Sequence, residues 1–203
     1  MRNIFLLYFL VFYFYSCTHK NTSPVIVNSI DTAATPTSDS LPVSFFPVTS
    51  FLKGQVHSID SMPVTPLRVT IINNKTDSTW LKKEGLKPLL QPFLSPQISK
   101  TNLIGFFKQT KFNDQTLNSI TFTYDPVKIL PDSISLRHWT VYVDPENSNV
   151  TKVYIVKQEK IRSETYTYQL IWKTNQSAKI TTILNKPDGN DVVIKEEQFI
   201  WDF

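Results

Sequence analysis

Beyond residue 103 the chain alternates apolar and polar positions with a period of two, and this restricts the fold more than any other feature. A period of two puts successive side chains on opposite faces of an extended strand, whereas a helix repeats every 3.6 residues. Segments near 104–112, 117–124, 136–143, 150–157, 165–173, 178–184 and 192–202 carry the pattern and are rich in Thr, Val, Ile, Tyr, Phe and Trp, the side chains that fit a pleated surface. Asp125-Pro126, Asp144-Pro145-Glu146-Asn147 and Pro187-Asp188-Gly189-Asn190 stand between them as turn chemistry. Connections this short join antiparallel neighbours, because a parallel crossover needs about a dozen residues or more.

The alternation also assigns faces. Tyr166, Tyr168, Leu170 and Trp172 share one side of their strand, as do Phe199, Trp201 and Phe203 on the last. With Phe122, Tyr124, Trp139, Val141 and Val143 they predict one continuous apolar sheet face. The first third supplies helices to cover it. Pro47 starts a stretch in which Val48, Phe51, Leu52, Val56 and Ile59 recur at helical spacing, so 47–60 is expected to be an amphipathic helix. Arg68 to Asn73 is a β-branched run, and Asn74-Lys75-Thr76-Asp77 reads as a polar turn. Asp77 or Ser78 then caps an expected helix bearing Trp80, Leu81, Leu86, Leu89, Leu90 and Phe93, which Pro88 and Pro92 break or shorten. The expected fold is α+β: a curved antiparallel meander of about seven strands with N-terminal helices packed on one face.

Upstream of residue 45 the character changes. Thr18 to Ser44 has no aromatic residue and is rich in Thr, Ser and Pro; such a stretch buries too little surface to offset its ordering entropy. It reads as a disordered tether, with Val25, Ile26, Val27 and Ile30 as its one apolar island. Before it, Arg2 precedes an unbroken apolar and aromatic run from Ile4 to Tyr15, the length of a signal-peptide core and short of the roughly 20 residues a membrane span needs. Ser16 and Cys17 follow, and Cys17 is the only cysteine. The expected organisation is therefore a leader at 1–16, a lipidated Cys17 with its tether over 17–44, and one domain over 45–203.

The Ser16-Cys17 junction resembles the lipobox of bacterial lipoproteins, in which a peptidase cuts before a cysteine that carries diacylglycerol through a thioether. The resemblance covers residues 1–17; Phe14 and Tyr15 stand where that pattern prefers Leu and a small residue. It implies anchoring through a lipid on Cys17, in the bacterial cell envelope and at the outer membrane. A lone thiol in an exported chain has no disulfide partner, which agrees with that use.

Composition and motifs exclude several activities. The formal net charge is +4, lowered by one when Arg2 leaves with the leader, and the cations are scattered: Lys152, Lys157, Lys160 and Arg162 alternate with Glu159 and Glu164. Nucleic-acid binding gathers Lys and Arg on one face, so none is expected. The four glycines stand alone, without a phosphate-cradling G-x-G-x-x-G or P-loop. His19, His57 and His138 have no metal-ligand spacing, and no nucleophile elbow is present. His138 adjoins Trp139 and is expected to be an exposed strand residue on the other face. Glu196 and Glu197 are successive strand positions and must face opposite sides, which rules them out as a carboxylate pair. Asp125, Asp144 and Asp188 read as turn-formers, and Trp80, Trp139, Trp172 and Trp201 as core.

No catalytic residue, metal or cofactor is therefore expected. The reading is a membrane-anchored envelope protein with a non-catalytic binding or structural domain, whose partner is another envelope protein. A curved sheet closed by helices also resembles the half-barrel of periplasmic lipoprotein carriers. That architectural resemblance, over about 45–203, implies an acyl-chain ligand in an open apolar cavity.

Overall fold

The computed structural model describes residues 44–202. The leader at 1–16, Cys17, the tether up to residue 43 and Phe203 lie outside the described residues. The order of elements is α1 (Val48–Ser61), β1 (Leu67–Ile72), β2 (Lys75–Trp80), α2 (Lys83–Leu89), α3 (Gln91–Leu94), β3 (Phe107–Asp114), β4 (Ser119–Pro126), β5 (Leu136–Val143), β6 (Val150–Ile161), β7 (Glu164–Lys173), β8 (Ser177–Asn185) and β9 (Val192–Ile200).

The nine strands form one open antiparallel sheet in the order β2-β1-β9-β8-β7-β6-β5-β4-β3. Strands β3 to β9 are a meander, each paired with its predecessor, and the last strand then pairs with β1. The class is α+β with helices and an antiparallel sheet, as the alternation predicts, but with nine strands rather than seven. The two additional strands are the hairpin β1–β2. Asn73 and Asn74 form its turn with φ of 51° and 61°, the left-handed pair that a two-residue type I′ turn requires and Asn tolerates. Lys75–Trp80, expected to hold the turn and the start of a helix, is a strand instead. All six of its residues are exposed, so an edge strand paired on one side shows no apolar alternation to betray it.

Helix α1 buries Val48, Leu52, Val56 and Ile59, on the stripe its spacing predicts. The helical stretch that follows is split at Leu90, with Pro88 inside α2 and Pro92 at the start of α3. Thr49 fixes the returning segment: Ile98 N–H donates to Thr49 Oγ1 at 2.7 Å, and Thr49 N–H donates to the Ile98 carbonyl at 3.2 Å. Buried residues of α1 to α3 and of one sheet face form a single core. Trp139 stacks on Tyr124 with centroids 4.5 Å apart and meets Phe45 and Phe107 edge-on or tilted. Phe93 of α3 meets Trp172 at 5.4 Å, and Trp172 meets Trp201 at 5.2 Å. The core assignment thus holds for Trp139, Trp172 and Trp201, whereas Trp80 is 60% exposed on β2.

Candidate functional site

The cross-strand register shows where the helical cover stops. Directly paired residues of an antiparallel sheet lie on the same face. One row beneath the helices reads Val153, Trp172, Ala178, Phe199 across β6 to β9, and every member is buried. The next reads Ile155, Leu170, Ile180, Glu197, and the one beyond it Lys157, Tyr168, Thr182, Lys195. Within two registers the same face passes from aromatic core to charge. A cleft of about 600 Å³ opens at this boundary, walled by Pro88, Gln91, Pro92 and Ser95 of the α2–α3 segment, with Leu170, Ile180 and Tyr168 at its base.

Lys157 is the residue that sequence reasoning missed. The sequence counts it among the scattered cations, yet only 6% of it is exposed, and its ammonium donates hydrogen bonds to the carbonyl oxygens of Pro92 and Ser95. Pro92 is the second residue of the one-turn α3 and Ser95 its C-cap; a helix this short leaves its carbonyls without helical donors, so they are open to the ammonium. Burial pushes the Lys157 ammonium down from 10.5 to about 8, against the pull of the nearby Glu159 carboxylate. The available signal was its parity: Val153, Ile155 and Lys157 alternate on one face, so the strand was already committed to burying that position.

At the β9 end of the neighbouring row, Glu197 bridges Arg68 on β1 and Lys195, the latter at 2.8 Å. Burial raises the Glu197 carboxyl, but hydrogen bonds and charge from Lys195 and Arg68 outweigh it and hold the group below the usual range. Glu196 instead pairs with Lys179 at 2.7 Å and accepts from Thr181. The adjacent glutamates therefore take separate partner sets, as strand alternation requires.

His138 is not simply exposed. It is half-buried, with Nδ1 2.8 Å from Asp125 Oδ1 and Nε2 2.9 Å from Thr140 Oγ1. Asp125, read as a turn-former, is a β4 residue whose carboxylate orients this ring, and the turn expected at Asp125-Pro126 falls within the strand. Thr140 is buried, so the chain Asp125–His138–Thr140 satisfies polar groups on the face away from the helices without presenting a reachable hydroxyl. Asp144 and Asp188 do act in turns, accepting from the N–H groups of Glu146 and Asn190. His57 is exposed on α1, and His19 lies outside the described residues. Among the described residues no group of three or more His, Cys, Asp or Glu is gathered to hold a metal, and no helix is long and apolar enough to cross a membrane.

No protein-family model, curated protein or solved structure matches this chain.

Proposed function

We propose that this chain is a lipid-anchored protein of the bacterial cell envelope, held at the outer membrane through Cys17, whose 45–203 domain acts by binding and not by catalysis. The observation that carries the binding reading is the cleft itself. It is large enough for a small ligand or a segment of a partner protein, and its charged groups are Lys157, Glu159, Lys195 and Glu197. The anchor rests on the leader and on the single thiol that ends it.

Carriage of an acyl chain requires an open apolar cavity. The apolar part of the sheet face is occupied by Phe45, Leu52, Leu90 and Phe93 from the N-terminal third, and the cleft beyond it carries charge along its outer row. That arrangement favours a polar or charged ligand, or another envelope protein, over an acyl chain.

Labelling cells with an alkyne fatty acid tests the anchor. Label is expected on the wild-type chain and not on Cys17→Ser; an unlabelled wild type, or equal label on both, overturns it. Native mass spectrometry of the chain taken from cells tests the choice of ligand: a noncovalent adduct of fatty-acid or phospholipid mass would restore the acyl-carrier reading.

A further inference from the structure

We propose that the cleft between the α2–α3 segment and β6–β9 is a carboxylate site, in which the ammonium of Lys157 receives the anionic head of a small ligand whose apolar body lies against Tyr168, Pro88 and Pro92. The inference rests on the binding reading above and names the ligand class for the same cleft.

The electrostatic argument begins with what Lys157 lacks. A buried cation is normally paired with a carboxylate, because removing an ammonium from water without a counter-ion is strongly unfavourable even after relaxation. Among the described residues no carboxylate lies within ion-pair distance of Lys157. Its partners are two neutral carbonyl oxygens, those of Pro92 and Ser95. An ammonium has three N–H donors, and the third has no acceptor among the described residues although the residue lines the cleft. The chain therefore holds a positive charge without a contact ion pair, subject only to the longer-range pull of Glu159, with a donor to spare, at the wall of a cavity of about 600 Å³.

The other charges of the cleft are already committed or stand at its edge. Lys195 and Arg68 share the single carboxylate of Glu197, so each has an ion-pair contact, although the trio keeps one net positive charge and the buried Arg68 Nε has no acceptor. Glu159 is exposed, two residues beyond Lys157 on the same face of β6. It sets a limit on the ligand, since a second negative charge reaching toward it would be repelled. A single carboxylate on a short aliphatic or aromatic body meets all three conditions. A cationic head would place like charges together at Lys157, and a neutral one would leave that charge unanswered.

Three probes of one shape separate these cases: 3-phenylpropionate, 3-phenylpropanol and 3-phenylpropylamine. Each is titrated calorimetrically into the full chain in lipid nanodiscs, with empty nanodiscs as the blank. The acid is expected to bind at least about tenfold more tightly than the alcohol or the amine, the loss anticipated for one charge-assisted hydrogen bond. Lys157→Met is expected to remove that preference. Glu159→Gln, an exposed change that leaves the Lys157 contacts in place, is expected to tighten the acid severalfold and keeps the test decisive if Lys157→Met fails to fold. Tighter binding of the amine or alcohol than of the acid overturns the carboxylate assignment while leaving a binding cleft. Acid binding that neither substitution alters places the probe elsewhere and also overturns it. Absence of binding by all three probes refutes the site as drawn, and chemical conversion of a bound probe refutes the non-catalytic reading itself.

Discussion

The buried ammonium makes a quantitative prediction about stability. In the folded chain Lys157 is held at about 8, and in the unfolded chain it returns to 10.5. Below about pH 8 both states carry the proton, and the folded state bears the full cost of burying the charge. Between about 8 and 10.5 the unfolded chain keeps the proton while the folded chain has released it, so the unfolded state binds more protons and stability must rise with pH. The separation corresponds to about 3 kcal/mol across the window, at 1.36 kcal/mol per pH unit. Tyr124, Tyr154 and Tyr168 oppose this at higher pH: burial raises their hydroxyls, so they ionise first in the unfolded chain and lower stability above about pH 10.

The useful quantity is therefore the difference between wild type and Lys157→Met, in which the tyrosine contribution cancels. Lys157→Met leaves the Pro92 and Ser95 carbonyls without their donor at every pH, so it is expected to be the less stable protein throughout. The wild-type advantage should then widen by about 2–3 kcal/mol between pH 7.5 and pH 10. Urea unfolding followed by tryptophan fluorescence reads this directly, because Trp139, Trp172 and Trp201 are buried and shift on exposure, whereas Trp80 is already largely in water. A difference that stays flat over that range, or narrows, would mean that Lys157 is charged at the same pH in both states and would refute the burial argument.

Other substitutions test the packing. Thr49→Val removes the acceptor for the Ile98 N–H in a buried site and should cost about 1–3 kcal/mol, seen as a lower urea midpoint. Trp172→Ala, beneath Phe93, should cost about 3–5 kcal/mol, whereas Trp80→Ala, at a side chain 60% exposed on the edge strand, should cost clearly less; comparable losses for the two would contradict the placement of the core. Deleting residues 199–203 removes Phe199 and Trp201 from the core and shortens the strand between β1 and β8. The truncated chain should show no cooperative melting transition, and an unchanged transition would contradict the assignment.

The meander was legible because its strands are buried on one face, so that Trp139, Val141, Leu170 and Trp172 write the sheet's period into the sequence. Of the hairpin β1–β2 only the first strand was, as the β-branched run of Arg68 to Asn73; Lys75–Trp80 buries nothing, and a strand without a buried face has no apolar rhythm. The split of α2 from α3 followed from Pro88 and Pro92 alone. The cleft was only half visible. Parity placed Lys157 on the core side, but the two carbonyls that hold it come from residues 62 and 65 positions away in the chain, and no local pattern encodes a contact at that separation. His138 illustrates the same limit, since its face was predictable but its partner Asp125 depended on the register of β4 against β5.

The order of the sheet also fixes when the fold can be completed. Strand β1 has only two neighbours: β2, beside it in sequence, and β9, the last strand of the chain. The Arg68–Glu197 contact across that seam spans 129 residues, and closing so long a loop is slow and entropically costly until the contacts it brings together have formed. The meander from β3 onward can zip up neighbour by neighbour. The N-terminal hairpin, by contrast, has no sheet to join until the final residues have emerged, and an isolated two-stranded hairpin is marginal in water. The seam between β1 and β9 is therefore the last part of the sheet that can close, and a chain interrupted before β9 leaves its amino-terminal hairpin with no strand to pair with.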